Sequence, residues 1–366
     1  MNVGIIGNNL TSLTLAKALV NKKVNVTLFY KQNEKLIKSN RSIGITLKNL
    51  SFFNKKILKI DKKFFQSIKE ISIYFENSLK KETLNFKKND LNLLNMIKVQ
   101  DIFSILNIKL NQDKLFNKKK INKKNFYDLI ENDKKYDLIF NCEKNNNLTK
   151  KYFYQNFKKD YKSNAITCSL FHKKKVNNKA SQIFTKYGPL AFLPIKNNQT
   201  SIVFSIYSKN KKLSDNEILK IINFYNKNYQ INKISELEKV DLKFSAPRKY
   251  YLGKILLFGD ILHQIHPLAG QGFNMTLRDL EILLNLIQKK IDLGLHLDET
   301  INSEFEKKVK HFNFIYSNSI NLLHDFFKFD SSYQNDFSHR ILNLMNKNKN
   351  INNFFIKAAN QGISIY

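Results

Sequence analysis

Between residues 254 and 287 the chain leaves little choice of architecture. Ile255-Leu256-Leu257-Phe258 is a short, wholly apolar run that ends on Gly259-Asp260. The loop that follows carries His263, His266, Pro267, Gly270 and Gly272. From Asn274 onward Leu277, Leu280, Ile282, Leu283, Leu284, Leu286 and Ile287 recur at helical spacing. A strand apolar on both faces, a glycine loop and a long helix together form the unit of a parallel sheet covered by helices.

The first 30 residues repeat that grammar. Val3-Gly4-Ile5-Ile6 reads as a strand, Gly7-Asn8-Asn9 as a turn, Leu10 to Val20 as an apolar helix, and residues 24–29 as a second strand. A βαβ start of this length is the setting of a dinucleotide turn, which places glycine at three positions for the bend, for the approach of the phosphates and for helix–strand packing. Here those positions hold Gly7, Asn9 and Ser12. Asn tolerates a left-handed backbone and Ser is small, so the turn still offers amides to a phosphate at a helix N-terminus. The acid that ordinarily follows the second strand is missing, and Tyr30 and Lys31 stand there.

Farther along, residues 70–75, 165–171 and 201–207 read as strands, and 156–240 as a sheet-rich layer. Tyr187 to Ile195, with Gly188, Pro189 and Pro194, reads as a turn leading into an edge strand. The Lys- and Asn-rich runs 117–124 and 143–151 read as surface loops, and the chain beyond about residue 300 as helix.

Composition narrows the function. A length of 366 residues suits about two domains. The formal charge is +32, yet only Arg41, Arg248, Arg278 and Arg340 among the 62 basic residues are arginine. Readers of nucleic acid favour arginine for bidentate contacts, so the charge reads as a solvated surface that also suits an anionic membrane, and no nucleic-acid partner is expected. Cys142 and Cys168 are too few for a disulfide framework and point to a reducing compartment. No apolar stretch is long enough to span a bilayer and no leader is visible, so the expected location is the cytoplasm. His263 and His266 sit three apart in a loop without a carboxylate cluster in sequence, and no metal site is expected.

The segment Gly259-Asp260-Ile261-Leu262-His263-Gln264-Ile265-His266-Pro267-Leu268-Ala269-Gly270-Gln271-Gly272-Phe273-Asn274 resembles the second FAD-binding motif of flavin-dependent aromatic hydroxylases of the p-hydroxybenzoate hydroxylase fold. Its His-Pro-x-Ala-Gly-Gln-Gly-x-Asn form is most similar to the ubiquinone-biosynthesis hydroxylases. Arg41-Ser42-Ile43-Gly44-Ile45 resembles the family's arginine-bearing strand near the flavin. Residues 188–194 resemble a stretch over the ring, and residues 358–362 the C-terminal helix. The resemblance departs at Asn9, Ser12 and Tyr30, and at Cys142-Glu143-Lys144, where the family carries Ala-Asp-Gly.

The resemblance implies an α/β fold with a Rossmann-like FAD-binding domain (1–70, 95–155 and 240–300), an inserted sheet-rich substrate domain (71–94 and 156–239) and a helical C-terminal region (301–366). It implies that Gly7, Asn9, Ser12, Arg41, Gln100, Gly259, Asp260, Pro267, Gly270, Gln271, Gly272, Phe273 and Asn274 contact FAD, with Asp260 receiving hydrogen bonds from the ribityl chain. No catalytic side chain is assigned; a structural role is expected of His266, with an approach to the substrate as the alternative. The implied activity is ring hydroxylation of a polyprenylated phenol or quinol through a flavin hydroperoxide, with electrons from NAD(P)H or a separate redox protein. Implied partners are molecular oxygen, other ubiquinone-synthesis proteins and the inner face of the cytoplasmic membrane. Two other readings stand beside it: a non-catalytic member that binds partners or quinones, and a reductase of prenyl chains on the same fold.

Overall fold

The computed structural model describes residues 1–31, 41–76, 79, 82–87, 92–121, 135–207, 213–265 and 271–333. A six-stranded sheet runs in the order β16 (Tyr251–Leu252), β17 (Ile255–Leu257), β9 (Leu138–Asn141), β1 (Asn2–Ile6), β2 (Asn25–Tyr30), β8 (Phe116–Lys120). All neighbours are parallel except β16 and β17. β1, β9 and β17 are buried along nearly their whole length, as an interior parallel strand must be. Helices α1 (Leu10–Val20), α3 (Val99–Asn111) and α6 (Gly272–Asp292) share one apolar core with this sheet. Leaving β1, the chain goes to β2 on one side and returns to β9 on the other. The crevice at the carboxyl ends of β1 and β9 is therefore the topological switch point, where open α/β sheets bind ligands.

The second sheet has eight strands: β14 (Ile231–Ile234), β10 (Asn156–His172), β13 (Gln199–Tyr207), β12 (Gly188–Lys196), β11 (Lys179–Thr185), β5 (Glu70–Phe75) and β6 (Leu84–Lys87) in order, with β15 (Glu238–Pro247) also paired to β10. Helix α5 (Asp215–Tyr225) opens with a reciprocal Ser214–Glu217 cap and lays Ile218, Ile222 and Tyr225 on Leu190, Phe192, Ile202 and Phe204. A small antiparallel sheet, β3 (Ser42–Thr46), β7 (Leu94–Lys98) and β4 (Gln66–Ile68), joins the two larger ones. Its Ile68 and Met96 pack on Ala180 and Leu193 of the eight-stranded sheet. At the end of β3, α2 (Leu47–Lys56) begins.

Four sequence expectations change. β12 is an interior strand, not an edge. Its prolines are tolerated because each lies where one neighbour is out of register: Pro189 faces Phe184 of β11 before pairing to β13 begins at Leu190, and Pro194 faces Thr200 of β13 beyond the last β11 pair at Phe192. Part of the run 117–124, expected as loop, is β8, a lysine-rich edge strand beside β2, and such charge is what protects an exposed edge. The run 143–151 contains α4 (Asn147–Tyr152), whose N-terminus is capped by the Asn146 side chain. The strand expected at 165–171 is longer, because its polar first half pairs with β15 across an irregularity between Asp160 and Asn164, where Lys162 takes φ 48°. The 35-residue helix α7 (Glu299–Tyr333) accounts for the start of the expected helical region, and residues 358–362 lie outside the described residues.

A buried polar cluster fastens α6 to α7. The fully buried Asp279 carboxylate receives Arg278 at 2.7 Å and Asn313 Nδ2 at 3.2 Å. His263 Nε2 lies 3.3 Å away, though not aligned as a hydrogen bond. Burial pushes this carboxyl up, but the Arg278 charge and the adjacent His263 outweigh it and hold the group below the ordinary carboxylate range. A depressed folded pKa contributes stability that is present above the unfolded value, about 3.9, and is lost as pH falls through the folded one. Asp279→Asn should therefore destabilise the fold by about 3–5 kcal/mol at neutral pH. Urea unfolding should also show a weaker loss of stability on acidification in the variant than in the parent.

Candidate functional site

The turn after β1 has the shape its one glycine permits. Gly7 takes φ 112°, and a Cβ there would stand 3.3 Å from Cβ of Glu143. Asn9 is not left-handed as expected: it is extended (φ −130°, ψ 177°) because it serves as the N-cap of α1. Its Oδ1 accepts from Ser12 N at 3.0 Å, and Ser12 Oγ accepts from Asn9 N at 2.9 Å. Asn9 Nδ2 donates to Cys142 O at 2.9 Å, tying the turn to the end of β9. The two residues that replace glycine thus cap the helix and consume two of its first amides. Among the described residues the amides of Leu10 and Thr11 have no acceptor outside the helix, and the N-terminal turn supplies none inside it.

The second motif arrives at the same place. Gly259 takes φ 82° at the end of β17, and a Cβ there would lie 2.2 Å from Cγ2 of Thr11. Only glycine lets the strand end approach α1 this closely. The next residue, Asp260, is exposed and accepts from Thr276 Oγ1 at 3.3 Å. Its charge also reaches Cys142, whose thiol is pushed up first by burial and then by Asp260. Gly7, Asn9, Thr11, Cys142 and Asp260 therefore converge on the switch-point crevice, from segments far apart in sequence.

At the far end of the glycine loop, Gln271 precedes α6 without a side-chain cap. A Cβ at Gly272 would meet nothing within 4 Å. Among the described residues no side chain caps this 21-residue helix, and its positive dipole end favours a partial negative charge there. Phe273 is buried in the core. The Asn274 side chain is turned away from that space. Its Nδ2 donates to Gly44 O at 2.7 Å, and its Oδ1 accepts from Thr46 N at 3.1 Å and Asn49 Nδ2 at 2.9 Å. The Asn274 side chain thus clamps β3 and α2.

Arg41 lies just before β3, where its carbonyl accepts from Val99 N at 3.0 Å, and the exposed Gln100 follows Val99 at the start of α3. The two expected neighbours are thus brought to one edge. His266, Pro267 and Gly270 lie outside the described residues. Gln264 links the loop to its surroundings, pairing through its backbone with Ser245 and through its side chain with Lys144. Burial, and then the like charges of Lys158 and Lys243, lower the Lys144 ammonium pKa.

Sequence reasoning missed the Asp279 cluster and the Asn274 clamp. The first had a signal: Arg278-Asp279 interrupts an apolar helix at a core-facing position. The second had none, since its partners Gly44, Thr46 and Asn49 are more than 200 residues away. Removing the Asn274 side chain leaves buried backbone and amide groups unpaired, at about 1–3 kcal/mol each. Asn274→Ala should lower the unfolding midpoint in urea, while Asn274→Asp, which keeps only the acceptor, should lie between it and the parent.

No protein-family model matches the chain. Curated relatives include the ubiquinone biosynthesis monooxygenase COQ6 of Schizosaccharomyces pombe, 22% identical over 229 residues, 50% of this chain and 48% of that one. The COQ6 of Dictyostelium discoideum is 24% identical over 50% of this chain and 44% of its own. The 3-demethoxyubiquinol 3-hydroxylase of Escherichia coli is 29% identical over 29% of this chain and 28% of its own. The chain thus spans about half the length of the first two relatives. Among solved structures, p-nitrophenol 4-monooxygenase PnpA from Pseudomonas putida superimposes with a TM-score of 0.77 over 98% of both chains at 10% identity. PqsL from Pseudomonas aeruginosa, in complex with 2-aminobenzoylacetate, does so with a TM-score of 0.71 over 91% of this chain and 97% of its own at 12% identity. The likeness read in the motifs is borne out by these relatives, and the chain has the α/β fold of the FAD-dependent monooxygenases.

Proposed function

We propose that the chain is an FAD-dependent monooxygenase that hydroxylates the ring of a polyprenylated phenol or quinol in ubiquinone biosynthesis. One observation carries the reading: the Gly7 turn, Asp260 and the open, uncapped start of α6 at Gly272 share one crevice at the switch point. FAD, when bound, supplies two-electron reduction and the activation of oxygen. The chain's own part is to bind and orient.

In this reading the Leu10 and Thr11 amides take phosphate, and Asp260 accepts from the ribityl chain. Arg41 and Gln100 border the ring. The amides at residues 272–274 and the positive end of α6 stabilise negative charge on it. Among the described residues no side chain caps α6 and nothing stands within 4 Å of a Cβ at Gly272, an arrangement compatible with the group.

The eight-stranded sheet would hold the substrate. Along β12 and β13 the face opposite α5 carries Ala191, Leu193, Ser201, Val203 and Ser205, with no charged side chain. That face suits a neutral ring and chain. Electrons would come from NAD(P)H or a separate redox protein. Contact with other ubiquinone-synthesis proteins belongs to the same reading. Peripheral attachment to an anionic membrane is supported by the charge of +32. It is also supported by the exposed pair Phe157 and Phe314, 6.4 Å apart, with Arg248 5.0 Å over Phe157. Among the described residues no helix is long and apolar enough to cross a membrane. The relatives named are oxygenases, which favours the enzyme over a non-catalytic binder.

Two outcomes are expected. Given a prenylated phenol, a two-electron reductant and labelled oxygen, the protein should add one labelled atom to a ring carbon as a hydroxyl, the other leaving as water, read by mass spectrometry. Loss of the charged acceptor in Asp260→Ala should weaken FAD binding by about tenfold or more, read by flavin fluorescence.

A further inference from the structure

The end of β2 is where a dinucleotide fold ordinarily carries the acid that receives ribose hydroxyls. Tyr30 and Lys31 occupy it here, so the end of β2 offers no carboxylate. Lys31 Nζ lies 2.5 Å from Oε1 of Glu143 and donates to Asn145 O at 3.1 Å. β1 lies between β2 and β9 in the sheet, so this ion pair spans the mouth of the crevice beside the Gly7 turn.

Glu143 is held from below as well. Its amide donates to Asn141 Oδ1 at 3.0 Å, and its carbonyl accepts from Asn146 Nδ2 at 2.8 Å and Thr149 Oγ1 at 3.1 Å. Lys31 engages one carboxylate oxygen; among the described residues the other, Oε2, accepts no hydrogen bond. The side chains are 40% and 20% exposed for Lys31 and Glu143, so the pair is open to a ligand. An isolated pair this exposed adds little to stability, so stability alone does not account for it. The exchange is also reciprocal: an acid at 31 would repel Glu143, whereas a lysine there draws the carboxylate of β9 across toward β2.

We propose that Glu143, positioned by Lys31, receives the ribose hydroxyls of the adenosine half of FAD, so that β9 supplies the acid that β2 lacks. This deepens the FAD reading and rests on it. FMN lacks the adenosine half and separates the two. The test measures equilibrium affinity of the full chain for FAD and for FMN by flavin fluorescence, in the parent, in Glu143→Gln and in Lys31→Met. The parent should prefer FAD. Glu143→Gln should weaken FAD by about tenfold or more. Lys31→Met should weaken it in the same direction, and both variants should keep the parent's affinity for FMN, which also reports that they fold. Unchanged FAD affinity in either variant, equal loss of FAD and FMN, or a parent that binds both flavins alike would overturn this inference alone. A parent that binds neither flavin would overturn it together with the FAD reading.

Discussion

The amide of Asn274 is the joint on which the site is built. It sits at the first turn of α6, is buried, and satisfies groups on β3 and at the start of α2 with both ends of its side chain. A backbone amide left unpaired in such surroundings is costly, so the clamp fixes α6 against the small sheet rather than merely touching it. Fixing α6 fixes the open space at Gly272. It also sets one end of the glycine loop, whose other end is held by Gln264 on Ser245 of the eight-stranded sheet. All three sheets are thereby referred to one loop, which makes the crevice a property of the whole fold.

The opposite wall depends on a contact of another kind, steric rather than polar. Gly259 and Thr11 approach so closely that no side chain fits between them. That approach sets Asp260 beside the start of α1, and brings two motifs from the two ends of the α/β layer to one place. The Asp279 cluster performs a related task behind the site. It locks α7 to α6 with a carboxylate that is buried and charged at once. Such a group is expensive unless fully paired, and its pairing is what makes the helix packing specific.

Much of this was legible in the residues. The glycine loop between an apolar strand and a long helix announced the parallel layer, and the position of Gly259-Asp260 at the strand end followed from it. β5 and most of β13 were legible from alternation and aromatic content. What escaped has physical reasons. Pro189 and Pro194 argue against an interior strand unless register is known, and register depends on partners far along the chain. The lysines of β8 look like a loop because an edge strand's polarity does too. Asn9 was read through its tolerance for a left-handed backbone, whereas the helix needed a cap more than the turn needed flexibility. The Asn274 clamp escaped because sequence shows a residue beside a motif but not which way its side chain turns. The departures from the glycine-rich pattern are likewise not isolated losses: Asn9 with Ser12, and Lys31 with Glu143, are pairs whose members only make sense together.

Whether this crevice holds FAD is tested most directly by the visible absorption spectrum of the purified chain, with the released cofactor identified and counted. A flavin spectrum with about one FAD per chain is expected, either as isolated or after reconstitution. A colourless protein that stays empty when FAD is supplied would contradict it.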